Sequence, residues 1–126
     1  MIERSPREAY RRIDFDARVE MAQPQELVAL SYEKLVSALG TAIHAHDRGD
    51  GRLKSDSVTR ALSAVMALRL GIRGEDAVSN ALHTLYEGAG RTILDSVLDF
   101  DAAALGQLRD DFIEISTALG ASPLAA

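Results

Sequence analysis

Residues 24–51 read PQELVALSYEKLVSALGTAIHAHDRGDG, and this stretch decides the fold class. Within it Val28, Tyr32, Leu35, Leu39, Ala42 and His46 recur at intervals of 4-3-4-3-4. An α-helix turns once in about 3.6 residues, so this spacing lays those side chains along one stripe. Pro24 suits the first turn, where a missing N–H costs nothing, and Glu26 meets the positive end of the helix dipole. Asp47-Arg48-Gly49-Asp50-Gly51 then supplies turn residues and ends the helix.

The same period recurs three times downstream. Val58, Ala61, Val65, Leu68 and Ile72 repeat at 3-4-3-4, with Ser55 or Ser57 as the expected N-cap and Gly71 to Gly74 as the break. A third helix is predicted from about Glu75 to Leu98, with Val78, Leu82, Leu85, Ala89, Ile93 and Val97 as its stripe. Gly88 and Gly90 in its middle suggest close helix contact or a kink. Asp99 or Asp101 can cap a fourth helix, in which Leu105, Leu108, Phe112, Ile115 and Leu119 repeat at 3-4-3-4 before Gly120 and Pro123 stop it. Four amphipathic helices joined by short links predict an all-α, antiparallel up-down four-helix bundle over residues 22–120, with 121–126 as a loose tail.

Composition agrees. The 20 Ala and 16 Leu outnumber the 7 Val and 7 Ile, which favours helix over strand. The 126 residues fit one domain. With 14 Lys and Arg against 19 Asp and Glu, the net charge is −5, which argues against nucleic acid as the main partner. There is no cysteine, hence no disulfide framework and no thiolate nucleophile. No stretch approaches the ~20 apolar residues of a membrane span, and no apolar run follows the N-terminal arginines as a secretory signal requires. The expected compartment is the cytoplasm, without membrane insertion.

Residues 1–21 read differently. Ser5-Pro6-Arg7-Glu8 is a capping-box pattern for a short helix. Ile13, Phe15, Ala17, Val19 and Met21 then alternate with Asp14, Asp16, Arg18 and Glu20, the period of an extended strand. A lone strand has no partner within the chain, so this N-terminal segment is expected as an extended or short helical cap. It lies in a groove, pairs with another chain, or is helical after all.

Catalytic and metal signatures are missing. His44 and His46 do not share a helix face, and no Glu has His three residues on, which rules out the di-iron bundle pattern. No phosphate-binding glycine loop is present. A histidine phosphotransfer domain would need His-x-x-Lys-Gly, which none of His44, His46 and His83 offers. No enzyme activity and no cofactor are expected. What remains is surplus apolar surface: Leu62, Met66 and Leu70 on helix 2, Leu27, Val36 and Ile43 on helix 1, and Tyr86 and Leu94 on helix 3. A bundle helix needs about three apolar positions per heptad. The excess reads either as a wide core or homodimer seam, or as a groove for an amphipathic partner helix.

Several pieces, taken in order, resemble the FliS family of flagellin-specific export chaperones. Ala22-Gln23-Pro24-Gln25-Glu26-Leu27-Val28, with Leu30 and Tyr32-Glu33, resembles the head of that family's first long helix. The Ala-rich run Ala38 to Asp50, the helix from Lys54-Ser55 to Leu70, Asn80-Ala81-Leu82 with Leu85-Tyr86 and Arg91, and Asp101 with Leu105 follow in the family's order. Tyr10 matches a tyrosine near the family's N-terminus. The chain departs from the pattern at Gln23, where a capping serine is usual, at Glu87 to Gly90, and in lacking a late tryptophan.

The resemblance implies a cytoplasmic helical bundle that binds the disordered C-terminal segment of flagellin, prevents its premature polymerisation and delivers it to the flagellar type III export apparatus. It also implies contacts with the export gate or regulatory proteins, and an N-terminal segment covering part of the client groove. The expected partner-binding residues are Tyr10, Ile13, Phe15, Leu27, Tyr32, Val36, Leu62, Met66, Leu70, Tyr86 and Leu94. The alternatives are a helical adaptor or homodimeric bundle protein and, third, a phosphotransfer domain.

Overall fold

The computed structural model describes residues 24–118. It contains four helices: α1 (Pro24–Asp47), α2 (Gly51–Leu70), α3 (Ala77–Leu98) and α4 (Ala102–Ala118). Among the described residues there is no strand. The alternating segment Ile13 to Met21 and the tail lie outside the described residues. Each helix packs against the next, and α1 also packs against α4, which closes the ring; α3 and α4 touch least. This is the all-α four-helix bundle that the periodicity predicts.

α1 ends where its sequence indicates. Past Asp47 the chain reverses within three residues, with Gly49 at φ +74°, a left-handed value that glycine adopts without strain. The Asp50 N–H donates to the Ala45 carbonyl at 2.8 Å. This places Asp50 to cap α2: its Oδ1 accepts from the Leu53 N–H at 3.1 Å. α2 therefore starts four residues or more before the expected Ser55 or Ser57. A cap has to lie outside the helix, whereas Ser57 is fully buried within it and accepts a hydrogen bond from Arg60 Nη2 at 3.0 Å.

α3 is capped by Asp76, whose Oδ1 accepts from the Ser79 N–H at 2.8 Å. The stripe expected for α3 requires correction. Ser79, Tyr86, Ala89, Ile93 and Ser96 are buried, whereas Val78 and Val97 are 65% and 61% exposed. The expected stripe contains consecutive four-residue steps, each of which turns the helix about 40° past its starting direction. Such a row drifts off the buried face before it reaches Val97. Val78 lies in the first turn and is exposed there. On α4 the Asp101 cap holds, accepting from the Ala104 N–H at 3.0 Å, and Leu105 and Phe112 are buried. Leu119 lies outside the described residues.

The core joins all four helices through Leu35, Leu39, Val65, Ile93, Leu105 and Phe112, with Ala42, Ala61 and Ala89 where backbones come close. At one end of the bundle the α1–α2 and α3–α4 turns meet. The His46 ring stacks on Phe100 with centroids 4.3 Å apart. Lys54 Nζ lies 3.2 Å from His46 Nδ1 and 5.1 Å from the Phe100 ring centre.

Candidate partner-binding surface

Two of the expected partner-binding residues, Tyr32 and Tyr86, are core residues in this structure, 0% and 2% exposed. Their hydroxyls meet at 2.8 Å across the bundle axis, tying α1 to α3. Phe112 of α4 completes the cluster, with centroids 5.3 Å from Tyr32 and 6.1 Å from Tyr86. A buried phenol oxygen needs a hydrogen-bond partner, and here one hydroxyl donates and the other accepts. Burial pushes both phenols above their ordinary pKa; the shared bond adds to the rise at Tyr32 and opposes it at Tyr86. The helical spacing correctly places Tyr32 in the α1 stripe, but it leaves Tyr86 among the surplus residues.

The remaining expected residues that are described lie around α2. Val36 and Leu62 are half-buried and pack against the core margin. Met66 and Leu70 stand 55% and 83% exposed on α2, and Leu94 is 54% exposed on α3. A Cβ at Gly90 would lie 3.7 Å from Val65 Cγ1, which fixes how α3 lies on α2. In that antiparallel register Leu94, one turn on, falls level with Ala61 and Leu62. Leu62, Met66, Leu94 and Val97 thus border the α2–α3 seam as an apolar margin. Gly90 is in ordinary contact there and Gly88 meets nothing within 4 Å, so neither glycine is forced by close packing.

On the other flank of α2 lies a groove of about 690 Å³ against α1. Leu27 and Leu30 of α1 line it together with Ala38, Ala64 and Ala67, and Glu33, Lys34 and Arg60 bring charge to it. The groove exists because the facing residues are small: alanines at 64 and 67 cannot fill the space beside α1. Leu27 is the expected site residue that reaches it. The part played by Ala64, Ala67 and Arg60 is absent from the expectation, since nothing in the sequence sets these two alanines apart from ordinary helix formers. Leu27 and the Leu62–Leu94 margin are therefore on opposite flanks of α2. Tyr10, Ile13 and Phe15 lie outside the described residues.

Among the described residues no group of three or more His, Cys, Asp or Glu is arranged to hold a metal ion. No described helix is long and apolar enough to cross a membrane. A comparison with curated proteins finds no match. The family model described as flagellar protein FliS matches residues 6–119.

Proposed function

The chain belongs to the FliS family of flagellar proteins, and from that premise we propose that it is an export chaperone for flagellin. It binds the disordered C-terminal segment of flagellin, keeps it from polymerising early and hands it to the flagellar type III export apparatus. The observation that carries this reading is the family match over residues 6–119. The surface is compatible with it. α2 is flanked on one side by an apolar margin and on the other by a groove, and a client that folds as helices needs such apolar tracks.

A disordered client that orders on the bundle gains helix at the moment of binding. Mixing the full chain with the C-terminal segment of flagellin is expected to raise the far-ultraviolet helical signal above the sum of the separate spectra. Tight binding without that gain would refute wrapping by a folding client, and absence of binding would refute the chaperone reading.

A further inference from the structure

α2 carries a second stripe beside its core stripe, along the side of α3. Arg52, Ser55, Thr59, Leu62, Met66 and Arg69 recur at alternating steps of three and four, which lines them along one face. Leu62 is half-buried and the others are exposed. The stripe has an arginine at each end and its two large apolar side chains between them. Neither arginine forms an ion pair among the described residues.

α3 presents the opposite charges beside this stripe. Leu94 and Leu98 are 54% and 94% exposed, with Val97 next to them. Glu87 stands exposed two turns before Leu94, and Asp99 follows directly on the helix end. The approach of Gly90 to Val65 sets the register. Met66 falls level with Gly90, and Arg69 falls level with Tyr86 and Glu87. Arg52 and Asp99 mark the other end, where α2 begins and α3 stops. Glu87 is held only by Arg91, at 3.4 Å on an open surface, a kind of pair that contributes little and leaves the carboxylate available.

We propose that this α2–α3 face pairs with the same face of a second copy, about a two-fold axis parallel to the helices. That axis lays α2 of each copy antiparallel on α3 of the other with levels kept. Arg69 then meets the partner's Glu87, Arg52 lies at the end that carries the partner's Asp99, and Met66 lies over the partner's Gly90. Every contact occurs twice. A two-fold axis across the helices would instead stack α2 on α2, basic on basic.

Charge selects this occupant because the face is its own complement, which is what an isologous interface requires. A lone helix lying in the seam would face a basic-ended row and an acidic-ended row at once, and would match only one. The acidic α4 of another copy, with Asp110, Asp111 and Glu114, also suits a basic helix. However, α2 and α4 stand at opposite corners of the ring, so that contact is heterologous and adds copies without closing at two. Two helices about 30 Å long and about 10 Å wide offer on the order of 600 Å² per copy. That is the lower end of the range for specific interfaces, where micromolar association is usual.

The pairing needs no client and stands apart from the chaperone reading. Sedimentation velocity of the full chain alone tests it. A monomer–dimer equilibrium with a dissociation constant on the order of 10 µM, and no larger species, is expected. Leu94→Arg should leave the chain monomeric, with at least about a hundredfold weaker association and unchanged helical circular dichroism. Arg69→Glu and Glu87→Arg should each weaken the dimer about tenfold. The two together should restore it to within about threefold, because the pair is rebuilt in reverse. Arg60→Gln, on the opposite flank of α2, should leave the dimer unchanged.

A full chain that stays monomeric overturns the proposal, as does a dimer that ignores both Leu94→Arg and Arg69→Glu. Failure of the reversed pair to restore association removes the two-fold register, and the proposal falls with it. Species that keep growing with concentration, and that Glu114→Lys abolishes, assign the contact to α2 and α4 and also overturn it.

Discussion

At the scale of single residues, the hydroxyl pair of Tyr32 and Tyr86 is the most exacting contact in the bundle. Two polar atoms are removed from water and satisfy each other at 2.8 Å. Removing one strands the other, and a buried unsatisfied hydroxyl costs about 1–3 kcal/mol. Tyr32→Phe is expected to lower stability in urea titration by about that amount. Adding Tyr86→Phe should cost less than the two single changes together, because no orphan remains. The same pair sets a response to base. Both phenols titrate above their ordinary value in the folded protein, so the unfolded chain loses these protons first. The stability they contribute is present below the ordinary tyrosine pKa of about 10 and is lost as pH rises beyond it. The double phenylalanine variant should show a shallower loss of melting temperature above that pH. A loss as steep as in the unaltered protein would mean that the phenols do not control it.

At the scale of helices, periodicity is reliable where a stripe keeps alternating steps of three and four. α4 does so, and Phe112 is fully buried at its centre against Tyr32 and Tyr86. Phe112→Ala is expected to destabilise by about 3–5 kcal/mol in urea titration, as loss of a buried ring does. A change below about 1 kcal/mol would mean that the ring's surroundings collapse to fill the space. α3 shows where such reading fails. Its row of apolar residues and its buried face diverge, since Ser79 and Ser96 are buried while Val78, Leu94 and Val97 are exposed. A small serine can be enclosed at a helix end when its hydroxyl finds a backbone acceptor, as Ser79 Oγ does by donating to the Arg73 carbonyl at 2.8 Å. Hydrophobicity alone does not register that option. Gly88, exposed and untouched in the same helix, is expected to accept Ala with a gain of about 0.5–1 kcal/mol in stability. Loss of stability in the melting curve of Gly88→Ala would show that the glycine holds a conformation alanine cannot share.

For the whole molecule, the bundle is held unevenly. α1 lies between α2 and α4 and packs against both, while the α3–α4 seam is the thinnest. Amide hydrogen exchange is therefore expected to be slowest in the centres of α1 and α2 and faster in α4, since regions with fewer packed neighbours open more readily. Uniform protection across all four helices would indicate a single cooperative unit. The architecture at this scale could be read from the chain because it needs only the helical period and short links. The α1–α2 groove could not, because a groove depends on what two helices fail to fill between them, and Ala64 and Ala67 read as ordinary helix formers until α1 is beside them. The His46, Phe100 and Lys54 cluster has the last consequence. It clasps both short turns at one end, whereas the opposite end carries the six-residue α2–α3 connection and the first and last described helical residues, Pro24 and Ala118. The bundle is built like a pair of tongs, riveted at the His46 end. Any spreading of the helices would swing widest at the free tips, where Pro24 and Ala118 lie.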